Sequence, residues 1–294
     1  MRIILGVASV MLLIIIGYYL FFVPYEFEVR FSVKTTPGDV IQTLRVWNRS
    51  QSTMNVKVDT FQRAEQRMTV NGHSYILNWI FDDEDSLTKV IVRLTEPNRR
   101  LLNKIQVLVG EPPIELDGAI KLKEFHGVLL HHLEITSVQV VGEVKKEGEF
   151  CLCRTIEKDQ MDKAQGMMEN YMILSSFLET TKLEMSGMPS VRVNNWSHIK
   201  GRLSFDFCFP IVRPSILPEA DGFVYKNYDQ IIALKAVYNG NYITSDRAWY
   251  VLYQYLKNQK YKAVGYPVEV FFDNPNFGTN ESEWRAEIFL PIVK

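Results

Sequence analysis

The second half of the sequence contains an internal repeat, and a repeated unit limits the chain to folds built from two equivalent parts. The string SGMPSVRVNN aligns with VGYPVEVFFD, so that Gly187 matches Gly265 and Pro189 matches Pro267. Further along, FDFCFPI matches AEIFLPI, and before the helices EFCLCRTI matches QIIALKAV. The pattern predicts two copies of a strand, helix, strand, strand unit.

Each copy is too small to bury both faces of its own sheet. The copies span about 149–211 and 230–292, and each contributes three strands and one helix with a single apolar stripe. Because one helix covers only one face of a three-stranded sheet, the copies are expected to join edges or to pack around a shared cleft. The sheet faces without helices would then line this cleft.

Strand alternation predicts which acidic side chains face the cleft. In the last strand, Glu287 and Phe289 point away from an apolar row that should meet the helix, and Asp206 is the equivalent residue in the first copy. Approximate two-fold symmetry would bring Asp206 and Glu287 to the cleft from opposite sides. Glu269 alternates with valines together with Phe271, and it is expected beside Glu287 on the neighbouring strand.

Carboxylates in an aromatic cleft favour a cationic ligand, which loses its water readily against ring faces. Close carboxylates would also suit one of them to proton transfer, in which case Glu287 would act with Tyr242 or Tyr238. The alternative is that Arg285 neutralises Glu287 in a plain surface pair. The aromatic residues expected to line the cleft are Tyr238, Tyr242, Tyr266, Phe271 and Phe289.

The N-terminus carries an apolar stretch, IILGVASVMLLIIIGYYLFFV, over residues 3–23. A helix of this length would be about 31 Å long, which matches the hydrocarbon core of a bilayer. A cleaved signal peptide is the alternative, but the stretch ends without a small-x-small cleavage site. We therefore expect a single-pass anchor over 1–24 and a membrane location. Flanking charges are nearly balanced, and the short leading segment favours an internal N-terminus.

Residues 25–137 form a second pattern, of strand, small helix, several strands and a long closing helix. Its most characteristic strings are SVKTTPGDVIQTLRVW, DDEDSLTKVIVRL and DGAIKLKEFHGVLLHHLE. This order resembles a START-like (SRPBCC, polyketide-cyclase-like) helix-grip domain. Fewer residues separate Trp47 from Tyr75 than the curved sheet of that family uses, so the resemblance leaves open whether the domain has the family's cavity.

The repeat, from about 140 to the C-terminus, resembles the GyrI-like domain, the effector-binding domain of bacterial transcription activators. The strings that carry the resemblance are VYNGNY, GYPVEVFFD and EWRAEIFLPI. The resemblance implies a cleft between two repeats that binds small, often cationic and amphiphilic molecules, with a carboxylate of the last strand facing the ligand. Some relatives are hydrolases that open strained cyclopropane rings. The DNA-binding head of the regulators has no counterpart in this sequence.

Charge and cysteine usage exclude several other classes. The net charge of −1 provides no basic field for nucleic acid, so no nucleic-acid partner is expected. Cys151 and Cys153 would share one face of a strand, where they are poorly placed to bridge. They and Cys208 are interpreted as small buried hydrophobic residues. We find no spacing typical of metal ligands and expect neither a metal nor a cofactor.

The sequence thus predicts an α+β protein with a transmembrane anchor (1–24), a shortened helix-grip-like domain (25–137) and a duplicated domain with a central cleft (138–294). The predicted function is that of a membrane-anchored protein that captures a lipophilic or cationic small molecule. Two alternatives stay open at this point. One is a hydrolase of strained electrophiles that uses a cleft glutamate, and the other is a structural or interaction protein with a non-functional cleft.

Overall fold

The computed structural model describes residues 2–293, apart from 52–53, 85–86, 111, 258, 260 and 275–279, with the backbone alone at residues 2, 3 and 5. The described chain divides into two compact units, Met1–Leu130 and His131–Lys294. Both are α+β, and each is built around a large antiparallel sheet.

The first unit begins with a helix, continues with a strand, a second helix and a run of strands, and ends with two further helices. Its elements are α1 (Arg2–Phe21), β1 (Phe27–Val33), α2 (Pro37–Ser50), β2 (Met54–Thr60), β3 (Arg63–Val70), β4 (His73–Glu84), β5 (Leu87–Thr95), α3 (Arg100–Val109) and α4 (Pro113–Ile135). Among the described residues, the strands form one sheet in the order β1-β5-β4-β3-β2. Thr36 caps α2 by accepting a hydrogen bond from the Asp39 amide, and Pro37 occupies the first helical turn.

The core of the first unit lies between the sheet and the helices α2 and α4. The Phe125 ring of α4 packs against the ring of Trp47, with centroids 5.5 Å apart, and edge-on to the ring of Trp79 at 5.0 Å. At Gly118 a side chain would collide with Leu94 of β5, so glycine permits the close approach of α4 to the sheet. The START-like resemblance of this unit stays a prediction.

The membrane anchor expected over residues 1–24 is wrong. In the part of the chain that the structure describes, no helix combines the length and the apolar character that crossing a bilayer requires. This finding overturns the transmembrane element of the expected fold, and with it the expected membrane location and internal N-terminus.

The end of α1 is instead held by polar contacts within the first unit. The Lys104 ammonium of α3 donates hydrogen bonds to the carbonyl oxygens of Tyr19 (2.9 Å), Leu20 (2.8 Å) and Val23 (2.7 Å). These carbonyls are the ones that a helix leaves without intrahelical partners at its C-terminus, where a cation is favourable. Lys104 is itself buried, so this cap fixes the end of α1 against α3.

The second unit contains the two sequence repeats. Its elements are β6 (Ser137–Lys146), β7 (Glu149–Asp159), α5 (Lys163–Thr181), β8 (Ser190–Ser197), β9 (Arg202–Pro210), β10 (Val224–Tyr228), β11 (Ile231–Asn239), α6 (Arg247–Lys257), β12 (Lys262–Ala263), β13 (Val268–Phe271) and β14 (Arg285–Val293). Among the described residues, the strand order is β10-β7-β9-β8-β13-β14-β11-β6, and β12 pairs with β14. The two copies therefore join edge to edge, through β8 and β13.

The outer strands of this sheet are exchanged between the copies. β6 runs into β7 of the first copy but pairs with β11 of the second, and β10 runs into β11 but pairs with β7. The short connections that follow β6 and β10 touch each other. A side chain at Gly148 would lie 2.7 Å from the Tyr228 carbonyl oxygen, so this contact requires glycine.

The two faces of the sheet differ in what covers them. One face carries α5 and α6, and its buried residues form a single apolar cluster that includes Phe205, Phe207, Leu174, Trp249 and Leu252. The other face buries separate, smaller clusters, one around Val268, Val270 and Phe289 and another around the three cysteines. We call these the helix face and the opposite face.

Two of the cysteines form a disulfide, which corrects the expectation that all three are simple hydrophobic residues. Cys153 of β7 and Cys208 of β9 are direct neighbours in the register of the two strands, and their sulfurs are bonded. Cys151 stays free and buried. The sequence argument considered only neighbours along one strand, whereas the bond forms across two strands.

Opening this disulfide should destabilise the second unit. The bridge closes a segment of 55 residues, so its loss is expected to lower the free energy of unfolding by about 2–4 kcal/mol. Urea denaturation of the oxidised chain and of the Cys153→Ala/Cys208→Ala variant measures the difference, with Cys151→Ala as the control. Alkylation of denatured protein should label one cysteine without reductant and three with it; three labels without reductant would contradict the pairing.

Candidate functional site

A cavity of about 570 Å³ opens on the helix face of the second unit. α5 forms one wall, the segment before β8 another, and Phe207 and Phe271 of the sheet lie at its base. The short helical turns Tyr242–Thr244 and Glu281–Glu283 border the remaining side. The volume lies in the range that small-molecule sites occupy in proteins.

Aromatic rings form the densest part of the cavity lining. The Tyr242 ring lies edge-on to that of Phe271, with centroids 4.8 Å apart, and 5.4 Å from the ring of Trp284. Tyr171 of α5 supplies a further ring. Rings in such contacts hold one another in place, so they present fixed apolar surfaces to a ligand.

Tyr242 is anchored through its hydroxyl. The hydroxyl donates to the carbonyl oxygen of Arg285 (2.7 Å) and accepts from the Asp273 amide (2.9 Å). Burial, together with the nearby Asp273 carboxylate, raises the pKa of Tyr242 well above its usual range. Tyr242 therefore stays neutral and ties the start of β14 to the end of β13.

Methionines give the cavity an adaptable wall. Met167, Met168 and Met172 of α5 line it together with Met185 and Met188, and these are half of the ten methionines in the chain. The side chains of Met168 and Met172 are exposed although they are apolar. Unbranched thioether side chains adjust their rotamers to irregular shapes, so this wall can close around guests of different outline.

The ionisable side chains that line the cavity are acidic. Among the described lining residues, Asp273 and Glu281 carry charge, and none is a lysine, arginine or histidine. The Glu281 carboxylate accepts a hydrogen bond from the Asn241 amide (2.8 Å). The cavity border therefore carries negative charge beside aromatic rings, an arrangement that favours cations over anions.

Glu269 lies behind this wall in a buried ion pair. Lys163 Nζ lies 2.8 Å from one carboxylate oxygen of Glu269 and 2.6 Å from the other, and both side chains are fully buried. The Ser245 hydroxyl lies 2.8 Å from Lys163 Nζ and 3.0 Å from Glu269. Lys163 Nζ also lies 5.0 Å from the centre of the Trp249 ring.

The structure does not bring the predicted carboxylates together. Glu269 is the register partner of Ile288, whereas Glu287 is the partner of Val270, so Glu269 and Glu287 lie on opposite faces. Asp206 and Glu287 share the opposite face but are separated by β8 and β13. Three strand spacings amount to about 14 Å.

Each of these two carboxylates has its own cationic partner. Glu287 is bound by Lys235 (2.7 Å) and by Arg285, the surface partner that the sequence suggested as an alternative. Asp206 is bound by Lys226 (2.5 Å) and Thr155 (2.7 Å). Burial would raise the pKa of Asp206, but these hydrogen bonds outweigh burial and lower it.

The predicted aromatic residues divide between several environments. Tyr242 and Phe271 line the cavity. Tyr238 is buried, and its hydroxyl donates to the Asn241 carbonyl oxygen at 2.8 Å. Phe289 belongs to the apolar cluster of the opposite face, and Tyr266 is exposed in the segment before β13.

The catalytic pair considered for a hydrolase is not assembled. Glu287 lies on the opposite face, whereas Tyr242 and Tyr238 belong to the apolar cluster of the helix face. The sheet therefore separates the proposed acid from either hydroxyl, and no proton can pass directly between them.

Sequence reasoning missed Trp284, Tyr171, the methionines and Lys163. The methionines left a signal, because MMENYM lies within the helix α5 and MSGM follows shortly after its end. Lys163 left none, since a lysine at the start of a helix is usually solvated. Strand pairing places Glu269 on the helix face, and the start of α5 brings the Lys163 ammonium to it.

No protein-family model matches the sequence, and no curated protein matches it either. Similar solved structures include the C-terminal domain of EcmrR (13% identity, 54% of this chain, 98% of that chain, TM-score 0.45) and EcmrR in complex with DNA (15%, 67%, 71%, 0.47). Another is SAV2435 bound to tetraphenylphosphonium (8%, 53%, 94%, 0.36).

These are distant likenesses in fold, of the effector-binding type that the second half of the sequence resembles. DNA binding is a property of EcmrR, and the absence of a nucleic-acid partner here stays a prediction.

Removing the Tyr242 hydroxyl should loosen the cavity border. Tyr242→Phe leaves the Arg285 carbonyl and the Asp273 amide without their partner, which is expected to lower the free energy of unfolding by about 1–3 kcal/mol. Urea denaturation followed by tryptophan fluorescence measures this change. Tyr266→Phe, at an exposed position, is the matched control; equal effects of both substitutions would contradict the anchoring role.

Proposed function

We propose that the second unit binds a lipophilic small molecule in its cavity, between α5 and the border formed by Tyr242 and Trp284. The observation that carries the proposal is the open volume of about 570 Å³ lined by aromatic rings and methionines. A protein interior normally fills such a space with its own side chains, because empty apolar volume is destabilising. An apolar guest would supply the contacts that the lining lacks.

The lining also favours a particular charge on this guest. Asp273 and Glu281 border the cavity, and the rings of Tyr242, Phe271 and Trp284 present their faces and edges within it. A diffuse cation gains from both features, whereas an anion of the same shape is repelled by the carboxylates. The proposed ligand class is therefore a neutral or weakly cationic lipophilic molecule rather than an anion.

The alternative of an interaction protein with a non-functional cleft receives less support. A cleft that has lost its ligand tends to be filled by its own side chains, since filling removes the penalty of a void. Here the methionines at the wall keep exposed side chains, and the space between them stays open.

Two probes of equal shape and opposite charge test the proposal. Tetraphenylphosphonium, which SAV2435 is reported to bind, and tetraphenylborate differ in charge but hardly in outline. Isothermal titration of the full chain should show tighter binding of the cation. Trp284→Ala and Phe271→Ala should each weaken it by about tenfold or more, as expected for losing a buried ring.

Phe289→Ala is the matched control for these variants, because Phe289 is a buried ring of the same sheet on the opposite face. It is expected to leave the affinity of the phosphonium probe unchanged. Circular dichroism confirms that each variant is folded before titration. Absence of binding by the folded wild-type chain to both probes would refute the proposed function.

A further inference from the structure

The Lys163–Glu269 pair connects the two repeats at their most buried point. Lys163 is the first residue of α5 in the first copy, and Glu269 lies in β13 of the second. Both side chains are fully buried, and the ammonium contacts both carboxylate oxygens. In this pair, a lysine of the first repeat therefore neutralises a carboxylate of the second repeat inside the protein.

The pair lies one layer of residues behind the cavity lining. Ala164, which follows Lys163, lines the cavity. So does Phe271, which lies on the same side of β13 as Glu269 and two residues further on. Ser245, which contacts both members of the pair, lies 3.1 Å from the carbonyl oxygen of Tyr242, a third lining residue.

Stability alone does not explain an ion pair at this place. Removing two charges from water is expensive, and an apolar pair of similar volume is often as stabilising or more so. A buried charge without its partner, in contrast, acts strongly on its surroundings, because little water screens it. Whether Glu269 is neutralised therefore decides the electrostatic potential inside the adjacent cavity.

Other ionisable groups near Glu269 do not replace Lys163. Asp246 at the start of α6 is acidic as well, and burial raises its pKa to about 6 although Lys163 opposes the shift. Its carboxylate accepts a hydrogen bond from Gln160 (2.5 Å). Burial raises the pKa of Tyr238, so this neighbour stays neutral. Lys163 is the cation that contacts Glu269 in the described structure.

We propose that Lys163 sets the charge selectivity of the cavity by occupying Glu269 from inside the protein. With its charge neutralised by Lys163, Glu269 adds no attraction for a strongly cationic guest in the adjacent cavity. The cavity then has only the moderate preference for cations that Asp273 and Glu281 create at its border. It therefore accepts neutral lipophilic molecules as well. This inference rests on the proposed function, since it concerns the charge of the molecule bound in that cavity.

Three variants test this role. One removes the positive charge of the pair, one removes the negative charge, and one removes both. Lys163→Met keeps an unbranched side chain of similar length and removes the ammonium from Glu269. A buried carboxylate without a cation takes up a proton unless the pH is high, so this variant and the wild type are compared at about pH 9. There the ratio of phosphonium to borate affinity should rise by about tenfold. Glu269→Gln removes one of the two carboxylates near the ammonium, Asp246 being the other. At about pH 6, where a buried ammonium keeps its proton more readily, the same ratio should fall. The double variant Lys163→Met/Glu269→Gln restores neutrality, and its ratio should return to the wild-type value.

If the Lys163–Glu269 pair only holds the two repeats together, a different outcome is expected. Each single variant would then weaken the binding of both probes alike and leave their ratio unchanged, which would overturn the proposal. If a single variant fails to fold by circular dichroism, the remaining single variant and the neutral double variant still decide the sign. Failure of the wild-type chain to bind either probe would refute the proposed function instead, so the two failures are distinguishable.

Discussion

The pairing of β8 with β13 is the interaction on which the second unit depends. Ser190, Val191 and Arg192 face Val270, Glu269 and Val268 in register. Among the described residues, this short ladder joins two four-stranded halves, β10-β7-β9-β8 and β13-β14-β11-β6, into one sheet. α5 and α6 lie on the same face of this continuous sheet, where their buried residues belong to one apolar cluster. The cavity is the space that remains on that face beside α5. A shared cleft on the helix-free faces, as expected from the sequence, would require the copies to pack face to face.

The two faces of this sheet handle charge in different ways. On the opposite face, Asp206 and Glu287 occupy equivalent positions. Asp206 is bound by Lys226 of β10, two strands away across β7, and Glu287 is bound by Lys235 of the neighbouring strand β11. These pairs satisfy carboxylates that strand alternation turns away from the helices. On the helix face, Glu269 is fully buried, and in the part of the chain that the structure describes the Lys163 ammonium neutralises it. Strand register thus determines the face on which each acidic side chain of the repeat lies. Its cationic partner comes from another element of the fold.

The alternation of apolar and polar residues along the strands predicted some of these features well and gave no information about others. The α+β character and the position of Asp206 and Glu287 away from the helices follow from alternation, which is a local property of a strand. Alternation also separates Glu269 from Val268 and Val270, but it cannot tell which set meets the helix, and the expected neighbour Glu287 proved to be on the other face. The disulfide and the ion pair with Lys163 depend on pairing between distant strands. The apolar N-terminal stretch predicted an anchor from hydropathy alone, whereas the described structure contains no helix that could cross a bilayer.

The exchanged outer strands determine when the second unit can close during synthesis. β6 emerges early, but its partner β11 follows only after the whole first copy has been made, and β7 waits for β10 in the same way. Until then the first copy exposes unpaired strand edges, which are sites for association with other chains. Contacts so distant in sequence also slow folding, since a long segment must be ordered before they form. The first repeat therefore completes its strand pairing only after β10 and β13 have been made.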